Sequence, residues 1–142
     1  MKPDQFENPD HDAIRQLLQA VHSVAVVGLS PKVSRPSYQV ARALQEFGYR
    51  IIPVRPAVDT VLGETAYADL YALPQRPDLV DVFRAPEHIG PIVDACIELG
   101  IKALWLQDGV VNEAEALRAH QAGITVVMDR CIYRDYRQLM GN

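Results

Sequence analysis

The sequence predicts a single doubly wound α/β domain on a mainly parallel sheet of about five strands. Three observations carry this. Short, uninterrupted apolar runs, which suit strands buried on both faces, recur along the chain. Between them lie segments with apolar residues at helical spacing, several of them stopped by glycine. The 142 residues, 49% hydrophobic and 23% charged, suffice for one core, since a chain of roughly 150 residues buries about 70% of the surface it exposes unfolded.

Residues 1–9 read as a flexible leader, and residues 10–142 as the domain. From Asp10 a short helix carries Ile14, Leu17, Leu18 and Val21 on one stripe. Ser23 to Gly28 is the first strand. After a polar loop, Leu29–Arg35, Pro36 sits where the first turn of a helix tolerates proline, and Val40, Ala41, Leu44 and Phe47 form the buried stripe before Gly48. Tyr49–Val54 is the second strand, closed by Arg55–Pro56. This strand–helix–strand unit calls for a right-handed crossover. Residues 57–78 are irregular, with a short edge strand near Thr65–Tyr67.

The alternation then resumes. Leu79–Phe83 is a strand, and Pro86–Leu99 a helix stopped by Gly100. Ile101–Leu106 is a strand, and Asn112 with Glu115 forms a capping box for a helix ending before Gly123. Ile124–Met128 is the last strand, and Tyr133–Met140 a terminal helix.

Composition excludes several classes. Two cysteines cannot build a disulfide framework or a Cys-based zinc site alone. No apolar run approaches the ~20 residues that span a bilayer. The opening MKPDQFENPDHD is acidic and polar, unlike a signal or transit peptide. A soluble, cytoplasmic protein with reduced thiols is expected. The net charge of −4 argues against a nucleic-acid partner, although a local cluster of cations can still hold a small anion.

In an open parallel sheet the ligand lies beyond the carboxyl ends of the strands. After the first strand, Gly28 permits a tight turn and close approach. The helix opening at Pro36 offers free N–H groups and the positive end of its dipole. Ser30, Ser34 and Ser37 add hydroxyls, and Lys32 and Arg35 add charge. A plain polar loop, with Ser34 as helix cap, explains the same residues. The dinucleotide pattern G-x-G-x-x-G is met only at Gly28. At the end of the second strand, where a dinucleotide site carries Asp or Glu for the ribose, Arg55 stands between Pro53 and Pro56. An arginine there suits a ribose phosphate, as in NADP or coenzyme A; a solvated loop cation is the plain alternative. Phe83 and Arg84 end the third strand and Gln107 follows the fourth.

No histidine pair has metal-ligand spacing, and no acid–base pair stands out; His88 alone lies near the predicted ligand edge. Cys96 reads as inert core and Trp105 as packing. For Cys131, beside Arg130, both a structural role and a reactive thiol stay open.

Val24-Ala25-Val26-Val27-Gly28-Leu29-Ser30-Pro31, Arg35-Pro36-Ser37-Tyr38 and Gly48 through Pro56 resemble the small bacterial CoA-binding proteins, stand-alone relatives of the CoA-binding domain of the succinyl-CoA synthetase α subunit. Val80–Arg84, Leu104–Gln107 and Val127–Cys131 agree, so the resemblance spans about residues 10 to 135. It implies a Rossmann-like fold that binds coenzyme A by its nucleotide end. Gly28, Ser30, Lys32, Ser34, Arg35, Pro36 and Ser37 would hold phosphates. Pro53, Arg55 and Pro56 would border the adenosine, and Phe83, Arg84 and Gln107 the pantetheine arm. The family pattern Pro-Val-Asn-Pro is broken by Arg55, which either strengthens contact with the 3′-phosphate or crowds the adenosine.

The synthetase's catalytic histidine lies in a domain not found in these residues, so binding of CoA or an acyl-CoA without chemistry is expected, as sensor, carrier or subunit. An NADP(H)-dependent oxidoreductase or redox sensor is the alternative. A homo-oligomer, an acyl-CoA enzyme partner and a mixed disulfide of CoA with Cys131 all stay open.

Overall fold

The structure is a computed structural model that describes residues 5–141. In chain order it runs α1 (His11–Ala20), β1 (Ser23–Val27), α2 (Pro36–Glu46), β2 (Arg50–Val54), β3 (Thr60–Val61), β4 (Glu64–Thr65), β5 (Leu79–Val82), α3 (Ile89–Leu99), β6 (Ala103–Leu106), α4 (Glu113–Gln121), β7 (Thr125–Met128) and α5 (Ile132–Leu139). The main sheet has five strands in the order β2-β1-β5-β6-β7, and every pairing in it is parallel. This is a Rossmann-like doubly wound arrangement. Strand order reverses between β1 and β5, which makes the crevice above their carboxyl ends the natural ligand position.

Both faces of the sheet are covered, and this is why its strands read as unbroken apolar runs. On one face Val24, Val26, Ile51, Leu79, Trp105 and Val127 pack against α1, α2 and α5. On the other, Ala25, Val27, Ile52, Val80, Leu104 and Val126 pack against α3 and α4. The period-2 alternation of a strand sorts neighbouring residues between the two layers. Asp81 is the exception. It lies between Val26 and Trp105 in register, is fully buried, and neither carboxylate oxygen has a hydrogen-bond partner. Burial pushes its pKa well above the ordinary carboxylate range.

Several expectations are adjusted in detail. The helix expected from Pro86 opens with a 3₁₀ turn, Pro86–His88, before α3. The capping box is half made. The Asn112 side chain accepts from the Glu115 N–H at 3.2 Å, but the Glu115 carboxylate turns to Arg118 and the Asn112 N–H meets the Met128 sulfur. In the irregular stretch, β3 and β4 pair with each other, and only Tyr67 bridges to β2. There the Tyr67 N–H donates to Pro53 at 3.0 Å and the Arg55 N–H to Tyr67 at 2.8 Å.

Of residues 1–9, those from 5 onward are described. Residues 1–4 lie outside the described part, and the segment after them is packed. Phe6 joins the α3/α4 layer. Asn8 donates to the Met128 carbonyl at 2.9 Å and accepts its N–H at 2.7 Å. A side-chain amide thereby mimics one residue of a neighbouring strand and covers part of the exposed β7 edge. Among the described residues, no helix is long and apolar enough to cross a membrane.

Candidate functional site

The switch point is built around Gly28. Its φ of 85° lets the chain leave β1 sharply. Its N–H donates to the Val54 carbonyl and the Phe83 N–H donates to Val27, both at 2.9 Å, so the three strand ends stay tied together. Leu29 is buried beneath the loop. Serine oxygens then hold the loop's shape: the Ser30 N–H donates to Ser37 Oγ at 3.0 Å and the Lys32 N–H to Ser30 Oγ at 3.1 Å.

α2 begins here with Arg35 as its capping residue and without a side-chain cap. The plain reading of Ser34 as that cap is therefore corrected, and Ser34 is exposed. Pro36 has no N–H to satisfy. The N–H groups of Ser37 and Tyr38 have no acceptor among the described residues, as expected at an open helix N-terminus.

Above these elements lies a cavity of about 750 Å³. Gly28, Ser30, Lys32, Arg35, Pro36, Ser37, Arg55, Phe83, Arg84 and Gln107 all line it. A second cavity of about 560 Å³ shares Gly28, Arg55, Phe83 and Arg84, adds Pro56, and extends over α3 to His88. Of the residues singled out in the sequence, Ser34 and Pro53 line neither of these cavities. Pro53 is buried within β2 opposite Val26.

Sequence reasoning misses other lining residues. Pro31, Val40, Asp108 and Val110 also line the larger cavity, and so does Cys131, whose role the sequence left open. Asp108 follows Gln107 at a strand end, and that position is its signal. Asp69 and Tyr71 in the second cavity come from the irregular stretch. The Tyr67 bridge ties that stretch to β2, and no sequence pattern announces it.

The polar groups of the larger cavity share one property. Their acceptors are engaged and their donors are free. Ser30 and Ser37 are buried, each oxygen accepts a backbone N–H, and neither hydroxyl donates to an acceptor among the described residues. Gln107 is only 4% exposed. Its Oε1 accepts the Ile132 N–H at 3.2 Å, while its Nε2 has no acceptor there. Among the described residues, Lys32, Arg35, Arg55 and Arg84 form no ion pair, so their charge is available to a ligand. The lining carboxylate, Asp108, is engaged by a two-pronged bond from Arg134 at 2.8 and 3.0 Å, which holds its pKa below the ordinary value. A ligand here must bring acceptors and negative charge.

The two cysteines differ. Cys96 is fully buried, and burial pushes its thiol up to about 12. Cys131 is half-buried and lines the cavity. His88 is exposed at the rim of the second cavity.

Comparisons with known proteins bear on the family and the fold. A family model described as a CoA binding domain matches residues 22–137. The uncharacterized protein YneT of Bacillus subtilis is 38% identical over 127 residues, covering 89% of this chain and 94% of that protein. The solved structure of a hypothetical protein from Pyrococcus horikoshii OT3 superposes with a TM-score of 0.90 at 30% identity, covering 99% of this chain and all of that one. An ADP-forming acetate–CoA ligase of Archaeoglobus fulgidus is 33% identical over 97 residues, which are 66% of this chain but 14% of the ligase.

Proposed function

The chain belongs to the CoA binding domain family, and from that premise we propose that it binds coenzyme A or an acyl-CoA without transforming it. One observation supports this above the rest: four unpaired cations and three side-chain donors of largely buried residues, free to donate, line the crevice at the switch point. Coenzyme A supplies the complement. It carries a ribose phosphate, a diphosphate and two amide carbonyls.

In this reading Lys32, Arg35, the Ser30 and Ser37 hydroxyls and the open start of α2 hold the diphosphate. Arg55 reaches the 3′-phosphate, Pro56 borders the adenosine, and Phe83, Arg84 and Gln107 receive the pantetheine arm. Pro53 acts through the backbone, since it shapes the end of β2 from within the sheet. Cytoplasmic residence follows from such a ligand and from unpaired cysteines.

Calorimetric titration with CoA, dephospho-CoA, NADP and NAD tests the proposal. CoA should bind, dephospho-CoA should bind more weakly, and NAD should not compete. Tight binding of NADP with no CoA binding at millimolar concentration overturns it.

A further inference from the structure

The geometry points to Cys131 as a thiol that captures coenzyme A as a mixed disulfide, an inference that rests on the CoA reading above. Cys131 stands immediately before α5 and lines the larger cavity, half-buried. A hydrogen bond fixes its surroundings: Gln107 Oε1 accepts the N–H of Ile132, the next residue, at 3.2 Å. The Gln107 side chain is thereby held against the Cys131–Ile132 peptide.

That same side chain carries the second observation. Gln107 is 4% exposed, yet its Nε2 has no acceptor among the described residues, and the side chain lines the cavity. The Nε2 is not sealed inside the protein: within a side chain that is otherwise buried and held at its Oε1, it opens toward the space a ligand would fill. The pantetheine arm supplies what fits. It carries amide carbonyls and ends in a thiol. A carbonyl bonded to Gln107 Nε2 would set the sulfur end of the arm beside Cys131, while Lys32 and Arg35, which line the same cavity, hold the phosphates.

The reaction is a thiol–disulfide exchange, and its oxidant is a disulfide of coenzyme A. The Cys131 thiol loses its proton to solvent, and the thiolate attacks the sulfur of the bound CoA half. A bond forms between Cys131 Sγ and that sulfur. The original S–S bond breaks, and the other half leaves as a thiolate with the electron pair. Cys131 is oxidised and the departing thiol reduced, so two electrons balance. A small thiol reverses the step. Cys96 is an internal control, since burial withholds it from solvent and pushes its thiol up to about 12.

The test uses the whole reduced chain, incubated in parallel with the symmetrical disulfide of CoA and with oxidised glutathione at equal concentration. Intact mass and peptide mapping follow the adducts. The CoA adduct should form on Cys131, not on Cys96, at least about tenfold faster than the glutathione adduct, because binding raises the local concentration of the reagent. Cys131→Ser should lose the adduct and keep reversible CoA binding by calorimetry. Gln107→Leu, checked for folding by its thermal melt, should bring the two rates together. If CoA binds reversibly but Cys131 forms no adduct, or forms it no faster than with glutathione, the capture is refuted and the CoA reading stands. If CoA does not bind at all, the CoA reading falls and takes this inference with it.

Discussion

A β-carbon built on Gly28 would collide with the carbonyl oxygen of Phe83. The end of β1 and the end of β5 therefore touch through backbone alone, at the switch point itself. The positive φ of Gly28 adds a second objection to any side chain. Gly28→Ala should cost about 2–4 kcal/mol, combining left-handed strain with overpacking. It should also part the strand ends and abolish CoA binding. A urea unfolding midpoint equal to that of the parent chain would show that the close approach does not exist.

Arg55 lines both cavities and forms no ion pair among the described residues. If it reaches the 3′-phosphate, Arg55→Ala should weaken CoA binding about 10- to 100-fold, the range expected for losing a charged hydrogen bond. Dephospho-CoA should be almost unaffected, so the variant should no longer distinguish the two ligands. An equal loss for both would place Arg55 elsewhere on the ligand. The same pair of titrations also decides whether an arginine at this position strengthens binding or crowds the adenosine.

Asp81 gives a pH signature. Burial raises its folded-state pKa well above the ordinary value of 3.8, so the native chain holds a proton that the unfolded chain releases. Its contribution to stability is therefore fully present below the unfolded pKa and falls as pH rises from there toward the folded pKa. The slope in that window is about 1.4 kcal/mol per pH unit. Asp81→Asn removes the titration and leaves the shape. Melts of the two chains from pH 4 to 8 should show the variant gaining on the parent as pH rises. Parallel curves would refute a neutral buried carboxyl.

Much of this architecture is legible because local and global signals agree. Ser23–Val27 reads as a strand buried on both faces and is one, since helices cover both sides. Asn112 reads as a cap and caps. The crevice follows from strand ends alone, and this brings together residues as far apart in the chain as Ser30 and Gln107.

The gaps have physical causes. The β3–β4 turn uses Leu62 at φ 54° before Gly63 at φ 76°, and leucine gives no turn signal at a left-handed position. Ser34 reads as a cap because serine favours that role, but Pro36 sets the helix start one residue later than such a cap requires. Asp81 passes unremarked within a strand run, because sequence shows a carboxylate and not the absence of its partner.

The pairing of Arg130 with Asp135 yields the last prediction. The guanidinium grips the carboxylate through two bonds, at 2.6 and 2.9 Å. The Asp135 side chain is 1% exposed and that of Arg130 29%. The Arg130 carbonyl in turn accepts the Trp105 indole N–H at 2.8 Å, so the pair anchors the start of α5 to β6. Removing one partner of a fully buried pair costs about 3–5 kcal/mol. Water at Arg130 reduces this, and Asp135→Ala should cost about 2–3 kcal/mol. Replacing both residues, as Arg130→Met with Asp135→Leu, should recover part of the loss, because no charge is then left buried alone. A double-mutant cycle by urea unfolding measures the coupling. The same loosening should reach the site. With the start of α5 unpinned, the bond from Ile132 to Gln107 loses its fixed geometry. Asp135→Ala should then lower the preference of Cys131 for CoA disulfide over glutathione disulfide while leaving its reaction with glutathione disulfide intact. A variant that is destabilised but keeps the full preference would separate the ion pair from the site and confine it to the fold.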